Sequence, residues 1–465
     1  MVFRFSRFLI FFIITFFPAF CWSQTVSEKL TAAFNAFNKD SQLQNAIASL
    51  YVVEATTGKV VIDKNGKVGM VPASTQKVIT SISAYELLGK NFQYQTELAF
   101  STNNENASLL IVPSGDPTFG SWRWPGTSEQ AIIKKVSQAV TKAGITSILE
   151  VRVDNKGWEG EAVPDGWIWQ DIGNYYGAGT FKLNWRENQF DVYLKSGKNI
   201  GDRVSIAGIK PTLYNYSLQS EVTAAAPGTG DKAFIYFPLN ASVGIIRGTI
   251  PVNQSNFKIS GALPSAMHQF VRTLLDSLGK KAGQSYHDVP IKSTTKTQIT
   301  DYVHLCTIVS PPLDSIVFWL NRKSINLYSE SLVKTIAHKN SKEATTEEGL
   351  EIIRHYWKQK NIPKSELNMV DGSGLSPLNR VTTHAQVGIL QHALKQSWFT
   401  NFYASLPQYN NMKMKSGTIR GAKGFCGYHT SADGHQYVFS FLVNNYNGSP
   451  SDLVQKMYKV LNTLK

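Results

Sequence analysis

Apolar residues follow two rhythms along this chain, one at the ends and another in the middle. Near the start, Leu30, Ala33, Phe34 and Phe37 recur at helical spacing, with Ser27 as the expected cap. Residues 48–53 and 60–62 are continuous apolar or β-branched runs around the turn residues Thr56-Thr57-Gly58-Lys59, which predicts strand, turn, strand. A helix follows over 75–88, where Gly89 can stop it. From about 91 to 301 the texture becomes short β-like runs between Gly, Pro, Asn and Asp turns: 97–101, 108–112, 149–153, 190–194, 233–237 and 243–251, with one helix over 130–143. After 301 the first rhythm returns. A strand is predicted over 303–309, helices over 313–320, 326–337, 347–359 and 383–393, and strands over 412–418, 424–429 and 437–443. Ser449 caps a last helix with Leu453, Met457, Val460, Leu461 and Leu464 on its apolar side. One α/β domain split by a long β-rich insertion fits this order.

Composition adds a compartment. With 42% hydrophobic and 17% charged residues the chain is ordinary globular material, long enough at 465 residues for several domains. Residues 1–23 read as a secretory leader: Arg4 and Arg7, an apolar run over 8–20, then Cys21 and Ser23 at the −3 and −1 positions of a cut before Gln24. The run is shorter than the ~20 residues of a spanning helix. Acylation at Cys21 is disfavoured by the Pro-Ala-Phe before it. Export to the periplasm or cell envelope is therefore expected, and nucleic acid is not an expected partner. The formal net charge is +14, two less without Arg4 and Arg7, and suits peripheral contact with an anionic membrane or envelope surface. Cys306 and Cys426 remain after the leader, and their spacing leaves pairing open. No metal-ligand spacing occurs, so no cofactor is called for.

Chemistry enters at Ala73-Ser74-Thr75-Gln76-Lys77. On a helix, Ser74 and Lys77 share a face, and an uncharged lysine amine can take the proton of a serine hydroxyl. Two more motifs follow in order: Ser324-Ile325-Asn326 opening a helix, and Lys415-Ser416-Gly417-Thr418 on an edge strand. Each alone reads as a helix cap or a strand end. Together they form the Ser-x-x-Lys, Ser-x-Asn, Lys-Thr-Gly set, with Ile325 where Asp is common and Ser416 where Thr is common.

With Gly115-Asp116-Pro117-Thr118 and Asp371-Gly372-Ser373-Gly374-Leu375, the chain resembles the serine D-alanyl-D-alanine carboxypeptidase/endopeptidase family, the low-molecular-mass class C penicillin-binding proteins. Positions 78–323 separate the first two motifs, a gap in which that family carries extra domains. The resemblance implies an α/β (α+β) transpeptidase domain of the penicillin-binding protein/β-lactamase type, its helices packed around an antiparallel sheet. That domain is expected over 24–92 and 301–465, with an insertion over 93–300 in two parts, 93–187 with 270–300 and 188–269.

The implied roles follow residue by residue. Ser74 is the nucleophile and Lys77 its base. Ser324 relays a proton and Asn326 holds Lys77 and the substrate amide. Lys415, Ser416 and Thr418 take the terminal carboxylate, and the backbone N–H groups of Ser74 and Thr418 form the oxyanion hole. Trp169 and Asp171, in an unusually aromatic stretch, are candidates for the charged end of the stem peptide's diamino acid. The Asp371 to Gly374 turn is assigned no chemistry. Peptidoglycan stem peptides are the implied substrates and β-lactams the implied covalent inhibitors. The rivals are a β-lactamase of the same fold class and a wall-binding protein without activity. A Ser-His-Asp hydrolase is opposed by the absence of a Gly-x-Ser-x-Gly elbow.

Overall fold

The computed structural model describes residues 25–103, 106–158, 160–237, 242–295, 302–341 and 343–465; the leader and Cys21 lie outside the described residues. Its architecture is mixed α/β, as the sequence predicts. A six-stranded antiparallel sheet runs Gln408–Tyr409, Met412–Ile419, Ala422–Thr430, Gln436–Asn444, Ile47–Glu54, Val60–Lys64. The two ends of the chain meet in it, with Ile47 opposite Asn444 and Glu54 opposite Tyr437.

Period-two alternation gives this sheet two buried faces. Tyr437, Phe439, Phe441 and Val443 point to one side, against Leu30, Phe34 and Phe37 of the helix Val26–Asn38 and Leu453 and Met457 of the helix Pro450–Leu461. Tyr428 and Val438 join the opposite layer, with Val78, Ile79 and Ile82 of the helix Lys77–Leu88 and Ile389 and Leu390 of the helix Thr383–Ala393. Each fully buried Leu or Phe here contributes about 2 kcal/mol. The first helix starts two residues earlier than its pattern suggests. Thr25, not Ser27, is the cap, because Glu28 reaches back to the Thr25 N–H in a capping box while the Ser27 hydroxyl donates to Val61 O.

Between the helices Lys77–Leu88 and Leu313–Lys323 the chain builds separate sheets. A five-stranded sheet has the order Ile291–Thr294, Ser147–Asp154, Asn106–Val112, Gln95–Asn103, Val303–Val309. Val303–Val309 pairs with Gln95–Asn103, so the strand predicted over 303–309 closes this sheet. The helices Glu129–Lys142 and Ala266–Ala282 bury apolar stripes in the same core, Ile132, Val136 and Val140 from one and Phe270, Leu274 and Leu278 from the other. Two smaller sheets nest within: Phe257–Ala262, Gln189–Lys195 and Ser205–Lys210, and a four-stranded one built around Val243–Pro251. Cys306 and Cys426 are buried free thiols in different sheets.

A buried carboxylate fastens the insertion over the catalytic layer. Glu187 accepts from Arg123 Nε at 2.7 Å, from the Ser121 hydroxyl at 2.7 Å and from the Tyr328 hydroxyl at 2.7 Å. Tyr328 belongs to the helix Asn326–Ser341, so this junction fixes the wall that faces the motifs.

Candidate active site

Ser74 sits in a single 3-10 turn, Ala73–Gln76, that runs into the helix Lys77–Leu88. The sequence predicts helix from Thr75; the tighter turn arises because Pro72 lacks an N–H and Ala73 takes a left-handed φ of 47°. One turn on, Lys77 returns to the serine, its Nζ donating to Ser74 Oγ at 3.0 Å. It donates also to Asn326 Oδ1 at 2.6 Å and to the carbonyl of Ser373 at 2.7 Å.

Lys77 is fully buried. Burial above all, and then the cation of Lys415, hold its pKa well below the ordinary lysine range, against the pull of Asp371 and Glu330. Two of these contacts, the Asn326 amide oxygen and the Ser373 carbonyl, can only accept, whereas a hydroxyl can also donate, so a neutral amine gives its two protons to the first pair and keeps its lone pair for the Ser74 hydroxyl.

The second motif arrives by a helix end. Leu313–Lys323 stops at Ser324 in the left-handed region, φ 57°, with Ile325 N–H closing on Leu320 O. Asn326 then opens the next helix and anchors to the insertion through Nδ2 to Tyr176 O at 2.7 Å. The third motif lies on the strand Met412–Ile419. Lys415 Nζ donates to Ser324 Oγ at 3.0 Å and to Ser416 O at 2.8 Å. Burial lowers its pKa to about 7. Gly417 is where this strand presses on the nucleophile turn. A Cβ there would stand 2.6 Å from Pro72 O and 2.9 Å from Ser74 N, so only glycine admits the backbone of 417–418 beside the Ser74 N–H. Thr418 lines the cleft and its hydroxyl accepts from Lys423 Nζ at 2.7 Å.

Ser74, Ser324, Asn326 and Thr418 thus border one cleft of about 790 Å³. Lys77 and Lys415 reach its floor from below through Ser74 and Ser324. Asp171 lines the cleft, its carboxyl 3.3 Å from the Tyr176 hydroxyl and raised in pKa by burial. Trp169 is not among the lining residues. It packs edge-on against Tyr236 and donates to Phe237 O at 3.4 Å. The reason is local: 169–172 form a helical turn, and residues two apart on a helix face opposite ways.

The turn at 371–374 is the functional element that sequence reasoning missed. Its glycine does supply a positive φ, 79° at Gly374, and a Cβ there would lie 1.9 Å from Ala73 O. Yet the same turn delivers the Ser373 carbonyl to Lys77, and its Asp371 accepts from Gln76 Nε2, the residue before that lysine. Spacing from Asp371 to the first motif carries no signal for this, since the contacting atom is a backbone oxygen.

Comparison with known proteins agrees with this geometry. Curated relatives include a D-alanyl-D-alanine carboxypeptidase from Actinomadura sp. (strain R39), 23% identical over 91% of this chain and 82% of the relative. Another is the D-alanyl-D-alanine carboxypeptidase DacB of Haemophilus influenzae, 23% identical over 86% of this chain and 85% of the relative. Among solved structures, penicillin-binding protein 4 of Haemophilus influenzae shares the fold with a TM-score of 0.79, at 20% identity over 92% of this chain and 98% of that one. A predatory peptidoglycan endopeptidase from Bdellovibrio bacteriovorus is more distant, with a TM-score of 0.51 at 16% identity over 90% of this chain and 91% of that one. The model of the D-Ala-D-Ala carboxypeptidase 3 (S13) family matches residues 30–464, and the chain belongs to that family of serine DD-peptidases.

Proposed function

We propose that Ser74 is acylated by peptides ending in D-Ala-D-Ala, as found on peptidoglycan stems, and that water then releases the product. The observation that carries this reading is Lys77 Nζ at 3.0 Å from Ser74 Oγ, in a pocket whose burial, and then the cation of Lys415, disfavour the charged amine. Ser74 Oγ attacks the penultimate carbonyl while its proton passes to Lys77 Nζ. The N–H groups of Ser74 and Thr418 receive the oxyanion, each worth roughly 3 kcal/mol. Collapse of the adduct breaks the C–N bond, and Ser324 passes a proton to the leaving amine. Lys415, with Ser416 and Thr418 beside it, binds the terminal carboxylate. Asn326 orients Lys77 and the substrate amide. Asp171 offers one half-buried carboxylate to a cationic side chain on the acyl side.

β-Lactams would acylate the same serine; the Haemophilus influenzae structure has been solved with one. Carboxypeptidase and endopeptidase activity both fit, since each cuts beside a D-alanine carbonyl and the 790 Å³ cleft exceeds what a terminal dipeptide fills. Export to the periplasm or envelope, with peripheral attachment through the basic surface, completes the proposal. Incubation with crosslinked and uncrosslinked muropeptides tests it: free D-alanine or cleaved dimers are expected, and neither should appear with Ser74→Ala. A fluorescent penicillin should label the wild type in a long-lived adduct. Labelling that survives in Ser74→Ala would reject the nucleophile, and rapid drug turnover would favour a β-lactamase.

A further inference from the structure

Beneath the catalytic pair lies a second acid that the mechanism above does not use. Glu330 is four residues after Asn326 on the helix Asn326–Ser341, so the two share a face. It is fully buried, like Asp371 beside it. The two carboxyl groups are treated very differently by their surroundings. Asp371 collects donors from every side: Gly374 N at 2.7 Å, Ser376 N at 2.6 Å, Trp167 Nε1 at 2.9 Å, Asn379 Nδ2 at 2.9 Å and Gln76 Nε2 at 3.1 Å. That is the environment of a buried anion. Glu330 has one backbone N–H, that of Gly372, split between its oxygens at 2.9 and 3.1 Å, with the Ser373 hydroxyl alongside. Among the described residues no lysine or arginine forms an ion pair with it.

We infer that Glu330 is a positioning residue held in its protonated, uncharged form, and that the proton absent from Lys77 resides on it. Two carboxyl groups sharing a dry site cannot both ionise at little cost. Neutral Lys77 with protonated Glu330 contains the same protons as a Lys77 ammonium with a Glu330 carboxylate. The second arrangement pins the base in its useless form between two anions. The sparse donors at Glu330 favour the first. Burial, then the charge of Asp371, push the Glu330 carboxyl up to about 8, against the Gly372 N–H, the Ser373 hydroxyl and Lys77.

The other charges facing the group are consistent with this. Lys334, one turn further along, is brought down to about 8 by burial and donates to Glu161 O; Lys415 faces Lys77 from the opposite strand. Glu330 also sets geometry. By holding Gly372 N–H it fixes the turn whose next carbonyl, Ser373 O, receives Lys77 Nζ, while Gly372 O takes the Thr80 hydroxyl at 2.6 Å. Val333 closes the turn from behind, since a Cβ on Gly372 would lie 2.6 Å from its Cγ2.

The inference rests on Lys77 being the base for Ser74, and its test separates the two. Infrared spectra of the full chain, with glutamate carboxyls unlabelled or labelled with heavy carbon, report protonation directly. At pH 7 a protonated-acid C=O band that shifts with the glutamate label is expected, fading as pH passes about 8 and missing in Glu330→Gln. Labelled glutamate that shows only carboxylate bands would overturn the inference, whether or not the protein is acylated by penicillin. Acylation rates give the second readout. Glu330→Ala, which orphans the Gly372 N–H, should fall by roughly tenfold or more, and Glu330→Gln should recover most of that loss. If Glu330→Gln acylates no faster than Glu330→Ala, Glu330 acts as an anion and the inference fails. Should either variant not fold, the labelled wild-type spectrum decides alone.

Discussion

Two pairs of helices in this molecule are built on opposite plans. In the insertion, Glu129–Lys142 and Ala266–Ala282 each bury one apolar stripe and expose the rest. Beneath the cleft, residues 77–85 and 326–337 are buried on every side, and among them are Lys77, Thr80, Ser81, Ser83, Asn326, Glu330, Ser331 and Lys334. Polar groups taken wholly out of water need dedicated partners: Lys77 meets Asn326, Thr80 and Glu330 meet Gly372, Ser83 meets Trp357, Ser331 meets Thr180 and Lys334 meets Glu161 O. The first plan yields stability from an interchangeable core. The second places charge and lone pairs where water cannot level them. The contrast teaches that in this serine DD-peptidase the helices without a polar side hold the groups proposed for the chemistry, and the amphipathic ones hold the scaffold.

Substitutions can break that contrast. The largest effect is expected from Lys77→Ala, which removes the base. Acylation by penicillin should fall about a thousandfold or more, with the melting temperature little changed, because the desolvation cost of a buried amine is lost along with its contacts. A variant that acylates normally would dissolve the distinction. Next is Gly417→Ala. Its Cβ must displace the nucleophile turn or the strand, and misplacement of that order costs roughly a hundredfold in acylation rate.

Leu274→Ala should do the reverse. A fully buried leucine of the amphipathic pair is truncated, at about 3 kcal/mol of unfolding free energy in urea, while the folded fraction acylates at the wild-type rate. The smallest effect sharpens the comparison through pH. Lys415 is a cation below about 7 and neutral above it. The second-order rate with carboxylate-bearing substrates should therefore decline toward tenfold per pH unit on the alkaline side, and that with neutral thioesters should not. Parallel profiles for the two substrates would remove Lys415 from carboxylate recognition.

The same division explains what could be read from the sequence. Amphipathic helices announced themselves, as where Ser449 caps the last helix through Asp452 N; 383–393 matches its helix end for end although no side of it is exposed. Paired strands with apolar alternation were also legible. Ala266–Ala282 was missed despite its stripe, its Ser265 cap and the left-handed Gly283 at its end, because it lies amid short β runs. Strands such as Ser205–Lys210 and Ser217–Ser220 bury too little apolar surface to leave a pattern. At the site, motif order pointed to the side chains at 74, 77, 324, 326 and 415, which lie at or beneath one cleft. It could not reveal Glu330, whose partners are backbone atoms more than forty positions away, nor the Ser373 carbonyl. Trp169, a candidate by the resemblance along with Asp171, packs on Tyr236 and Phe237 and does not line the cleft.

The central claim is that the lysine beside Ser74 is uncharged at working pH. Single-turnover acylation by a neutral thioester, which does not call on the Lys415 cation, followed from acid to alkaline pH, tests it most directly. The rate should already be at its plateau near neutrality, with an acid limb far below the 10.5 of an ordinary lysine. A rate that keeps climbing toward that value would mean that Lys77 carries its proton in the resting enzyme, and would contradict the account.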